Sequence, residues 1–118
     1  MEIEIELNVT LAVSHAQKLR ESLSGKFELI AFKGSNKFSL RPIGAADSGL
    51  TIDRTIQNYL GAMEPFGRLL EQANGVMRVG AFFPEGEPAA FSVLLSNTTV
   101  QMLARRQFTI DVTCYPCS

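Results

Sequence analysis

The sequence predicts an α+β fold: one two-layer domain over residues 1–118, with an antiparallel or mixed sheet of about five to six strands and helices mainly on one face. Three observations predict it. Residues 2–11 alternate strictly, with Ile3, Ile5, Leu7, Val9 and Leu11 on one side and Glu2, Glu4, Glu6, Asn8 and Thr10 on the other. That period of two marks a strand with one face on a core and one in water. Two further strand-like runs, 27–33 and 37–42, flank Gly34-Ser35-Asn36, which has hairpin chemistry. Between such runs lie stretches whose apolar residues recur at helical spacing. Hairpins joining half-polar strands require an antiparallel or mixed sheet, and helices on one face leave the other wet or used for binding.

The remaining elements follow in order. Ser14 with Gln17 reads as a capping box, followed by the stripe Ala16, Leu19 and Leu23 and a stop at Gly25. Residues 43–49 read as a mobile loop of small residues. A helix is expected from about Asp53, on the stripe Ile52, Ile56, Leu60 and Met63. Glu64-Pro65 breaks that line, and the proline starts a second helix that faces inward with Phe66, Leu69, Leu70 and Ala73. Residues 76–83 and 89–95 read as strands joined by the turn-rich PEGEP; apolar residues on both faces mark them as central strands or an exposed patch. Thr98 with Gln101 suggests a second capping box, opening a short helix through Val100, Leu103 and Ala104. The run 107–114 alternates again, with Phe108, Ile110, Val112 and Cys114 inward.

Composition narrows the function classes. A chain of 118 residues, 46% apolar, can bury one core without disulfide staples. Its net charge of −1 gives no general attraction to nucleic acid. No stretch reaches the roughly 18 apolar residues of a membrane span. The acidic, alternating start is unlike a signal peptide, so a cytoplasmic protein with reduced thiols is expected.

Chemistry-bearing motifs are sparse. Cys114-Tyr115-Pro116-Cys117 has the spacing of a redox pair or half a zinc site. A redox thiolate is normally stabilised by the helix that follows the motif, and only Ser118 follows here. A structural zinc needs four ligands, and the two cysteines with the single histidine, His15, make three. The pair reads as incidental or structural, with a metal site shared between two chains and a redox role as alternatives. His15 is expected exposed in the first turn of its helix. No nucleophile elbow, phosphate loop, H-E-x-x-H or EF-hand pattern is present. No catalytic residue, metal site or cofactor is therefore expected.

Glu2, Glu4 and Glu6 stand about 6.5–7 Å apart on one strand face. Such a row is either a solvated face that resists edge-to-edge pairing or an acidic stripe for a basic partner, which would speed association and set specificity. Asp111 would join it if the last strand lay beside the first. Glu85 and Glu87 in the PEGEP loop are the second choice for partner contact.

The run from Leu50 to Pro116, with TIQNYLGAMEPFGRLLEQANG and then VLLSNTTVQMLARRQFTIDVTCYP, resembles a family of small bacterial α+β proteins of unknown function. That family shows a helix, a proline-started second helix, a hairpin, an L-x-x-L-A helix and a final strand. Related domains accompany secreted polymorphic toxins, including those of contact-dependent growth inhibition, and serve as their immunity proteins. The resemblance implies a non-enzymatic immunity protein that occludes a toxin's active site, and it carries over no catalytic residue. A small-molecule-binding or regulatory domain, a homodimer through a sheet edge, is the alternative reading. An enzyme using His15 or the cysteines is a third.

Overall fold

The computed structural model describes residues 2–44, 51–71, 73–84 and 93–117. It is an α+β domain with one five-stranded mixed sheet. The elements run β1 (Glu2–Thr10), α1 (Val13–Ser22), β2 (Phe27–Ala31), β3 (Lys37–Pro42), α2 (Ile52–Met63), a 3-10 helix (Glu64–Leu70), β4 (Val76–Pro84), α3 (Asn97–Arg106) and β5 (Thr109–Cys117). The sheet order is β2-β3-β1-β4-β5. Every pairing is antiparallel except β4 with β5, which α3 joins as a parallel crossover.

The inward residues of β1 (Ile3, Leu7 and Val9) meet Leu40, Met77 and Val79 of the neighbouring strands in the buried core. The helices close that core with Leu19, Ile56, Leu60, Met63 and Leu70. Phe27 is its aromatic hub, edge-on to Tyr59 at 5.1 Å and to Phe66 at 5.5 Å. The buried Tyr59 hydroxyl donates to the carbonyl of Leu40, and burial pushes its phenol far above the usual range.

Several expectations change in detail. Helix α1 begins at Val13 with Ala12 at its N-cap and no side-chain cap, so Ser14 lies inside the first turn. The backbone N–H of buried Leu11 donates to Asn36 at 3.0 Å and fixes the exit of β1, leaving only Ala12 before the helix. Helix α3 is capped by Ser96, whose hydroxyl accepts from the Thr99 N–H, rather than by Thr98. The segment after Pro65 is 3-10, kinked at Phe66 (φ −118°), whose ring turns into the core against Phe27.

The expected hairpin between 76–83 and 89–95 does not form around β4, because both of its edges are taken, by β1 and by β5. Residues 85–92 lie outside the described residues, and 93–95 are not strand. The small-residue loop also falls outside them from residue 45 to residue 49. The final strand continues through the cysteine motif, paired to β4 from Val76↔Thr109 to Pro84↔Cys117, so the chain end is an edge strand rather than a loose tail. Cys114 takes the helix-side phase of β5 opposite buried Ala81, as its alternation implies, yet its thiol is exposed because β5 is the edge strand of the sheet.

Candidate functional site

Among the described residues, the helices cover one face of the sheet, and the outward side chains of the strands form the other. β1 presents Glu2, Glu4 and Glu6 there, with Glu2 and Glu4 exposed and Glu6 half-buried. Arg41 comes from β3, Arg78, Gly80 and Phe82 from β4, and Asp111, Thr113 and Tyr115 from β5. Their middle forms an open basin of about 680 Å3.

Strand register decides which charges meet. Glu28 lies opposite Arg41, Glu6 opposite Arg78, and Arg78 opposite Asp111. Arg41 Nε is 2.9 Å from Glu6 Oε2, and Arg78 Nε is 3.9 Å from Asp111 Oδ2. One row across all five strands therefore alternates in sign, Glu28, Arg41, Glu6, Arg78, Asp111. Each opposed pair contributes a few tenths of a kcal/mol up to about 1 in such settings. Below the row, Ser39 is fully buried; its hydroxyl donates to Glu6 Oε2 at 2.6 Å and accepts from Arg41 Nε at 3.1 Å.

The next positions along the strands differ. Glu4 lies opposite Gly80, and Glu2 opposite Phe82. Phe82 stacks on Tyr115 of β5, with ring centroids 5.0 Å apart and planes 18° apart. Glu2 and Glu4 enter no ion pair among the described residues.

The expected acidic stripe thus comes together only in part. Glu2, Glu4 and Glu6 share one face as their alternation implies. Asp111 reaches that face but not the stripe, because β4 separates β5 from β1 and Arg78 stands between Asp111 and Glu6. Glu85 and Glu87 lie outside the described residues. Arg41, Arg78, Phe82 and Tyr115 were missed as part of this surface. Arg41 and Arg78 occupy the polar phase of KFSLR and MRV, which is the signal that could have placed them there.

The reactive groups lie apart. His15 is exposed on α1, Ser39 is sealed under Arg41 and Glu6, and Cys114 sits on the edge strand. Among the described residues, no three His, Cys, Asp or Glu side chains converge to hold a metal ion. A second polar cluster joins α2 to α3. Asp53 Oδ1 accepts from the Ser96 N–H at 2.8 Å, and the Gln57 amide lies within donating distance of Asp53, Ser96 and Thr99. Hydrogen bonds from the Thr99 hydroxyl and then the Ser96 N–H hold the Asp53 carboxyl below its usual range. With Thr99 fully buried, this cluster docks two helices and offers no open site.

Among the described residues, no helix is long and apolar enough to cross a membrane. No protein-family model, curated protein or solved structure matches the chain.

Proposed function

We propose that this protein is a non-enzymatic binding protein that docks a basic protein surface on the open face of its sheet, acting as an immunity protein that covers the active site of a bacterial toxin. The basin carries the reading: Glu2, Glu4, Glu6 and Glu28 line it against Arg41 and Arg78, a local acidic surplus in a chain of net charge −1. Toxins that attack nucleic acid need basic active-site surfaces. An acid-rich inhibitor face complements them, accelerating encounter and rejecting wrong partners. The 50–116 run resembles a family of small bacterial α+β proteins of unknown function, relatives of which accompany such toxins, and the proposed role is in keeping with that resemblance. Small-molecule sites are typically enclosed and mostly apolar, whereas this basin is open and rimmed by charge, which favours a protein partner.

The test is capture from the cell of origin with the tagged intact protein and the Glu2→Lys/Glu4→Lys variant side by side. The proposal expects one basic, toxin-like polypeptide held by the native protein at nanomolar affinity, about −12 kcal/mol, and lost from the variant. Equal capture by both proteins, or no partner while the toxin is expressed, would contradict it.

A further inference from the structure

Charge pairing divides the open face into two unlike halves. In one, each carboxylate of the alternating row has an arginine beside it on the neighbouring strand. In the other, Glu2 and Glu4 project from β1 with no cation paired to them among the described residues. Opposite them, β4 offers no charge: Gly80 faces Glu4, and the ring of Phe82 faces Glu2. Beyond, on β5, Thr113 and Tyr115 continue these two rows.

Gly80 shapes this half. A Cβ there would come within 3.3 Å of the Phe82 ring and 3.6 Å of the Tyr115 ring, so the stacked pair leans over the glycine and into the basin. Tyr115 remains 43% exposed. The result is a stacked aromatic pair beside two carboxylates that enter no ion pair among the described residues. Arg78, one same-face position from Gly80 and so about 6.5–7 Å along the strand, bounds the subsite on the side of the paired row.

We infer that this end of the sheet is a subsite for a single arginine side chain of the partner, an inference that rests on the basic-surface docking proposed above. The guanidinium packs against the stacked Phe82–Tyr115 pair and donates to Glu4 and Glu2. A guanidinium suits both features: it is planar, weakly hydrated, stacks on rings and presents a fork of donors to carboxylates. A lysine ammonium satisfies the carboxylates but is compact and strongly hydrated, and it draws less from the rings. The subsite therefore discriminates arginine from lysine, which an acidic stripe alone does not do.

The experiment titrates labelled hexa-arginine, hexa-lysine and a neutral Gly/Ser hexapeptide onto the full chain, its Tyr115→Leu and Tyr115→Phe variants, and a Glu2→Gln/Glu4→Gln variant. The native protein should bind hexa-arginine at least tenfold more tightly than hexa-lysine. Tyr115→Leu should erase that preference, Tyr115→Phe should keep it, and Glu2→Gln/Glu4→Gln should weaken both basic peptides. Equal binding of the two basic peptides, insensitive to Tyr115→Leu but weakened by Glu2→Gln/Glu4→Gln, would overturn the arginine subsite while leaving the acidic docking face standing. Basic peptides bound no better than the neutral one would overturn both. A chain that carries Tyr115→Leu but loses its native circular dichroism is replaced by Phe82→Leu, for which the same loss of preference is expected and its retention overturns the subsite.

Discussion

Arg41 and Glu6 meet across β3 and β1, Nε to Oε2 at 2.9 Å, and the buried Ser39 hydroxyl bridges them from below. Glu6 is thereby part of the sheet's own construction as much as of its surface. Glu6→Gln should lower stability by about 1 kcal/mol, the ordinary loss for weakening hydrogen bonds to a partly exposed charge. Urea unfolding measures it. Glu4→Gln, which breaks no described ion pair or hydrogen bond, should leave the midpoint unchanged.

Two glycines should respond oppositely to alanine. At Gly75, a Cβ would fall 2.7 Å from the Phe108 ring and 3.0 Å from Leu7, both held in the core, and the Gly75 carbonyl accepts from the Thr109 N–H at 3.0 Å. Gly75→Ala should cost about 2 kcal/mol through overpacking. Gly61 is exposed within α2 and has nothing within 4 Å of its would-be Cβ. Gly61→Ala should raise stability by about 0.8 kcal/mol from helix propensity. Thermal unfolding of the two variants checks both signs.

Asp53 ties α3 to α2 most strongly while ionised. Its carboxyl titrates lower in the folded chain than in the unfolded one, so the folded state holds fewer protons in that window. The contribution is full above the ordinary aspartate range and is lost as pH falls through the depressed folded value. Asp53→Asn should lower stability at neutral pH and flatten the acid limb of the stability profile. A variant whose curve runs parallel to the native one down to about pH 2 would show that Asp53 plays no such part.

Cys114 lies on an exposed edge. Cys114→Ser should shift stability by less than about 0.5 kcal/mol, and the native thiol should react with a disulfide reagent without unfolding. Partner binding should be unaffected by the substitution.

Much of the frame was legible in the sequence because its signals are local. The alternation of β1, the Gly34 turn between β2 and β3 and the stripe of α2 each lie within a dozen residues. What was not legible depends on distant contacts. The cap of α3 falls at Ser96 because Asp53, 43 residues earlier, accepts from its N–H. The 3-10 segment follows from Phe66 seeking Phe27. Most consequential is strand order: with β4 inserted between β1 and β5, Arg78 is set between Glu6 and Asp111, and within the expected stripe only Glu2 and Glu4, beside Phe82 and Tyr115, enter no ion pair among the described residues. Alternation reveals which face a charge occupies; only register reveals what faces it.

The most direct test of the docking face is the association rate of the captured partner with the native protein and with Glu2→Lys/Glu4→Lys, at low salt and near 0.5 M salt. Steering by these two carboxylates predicts a drop of at least about tenfold in the variant at low salt, largely abolished by screening at high salt. Identical rates for both proteins at low salt would show that Glu2 and Glu4 only solvate the sheet and that the partner binds elsewhere.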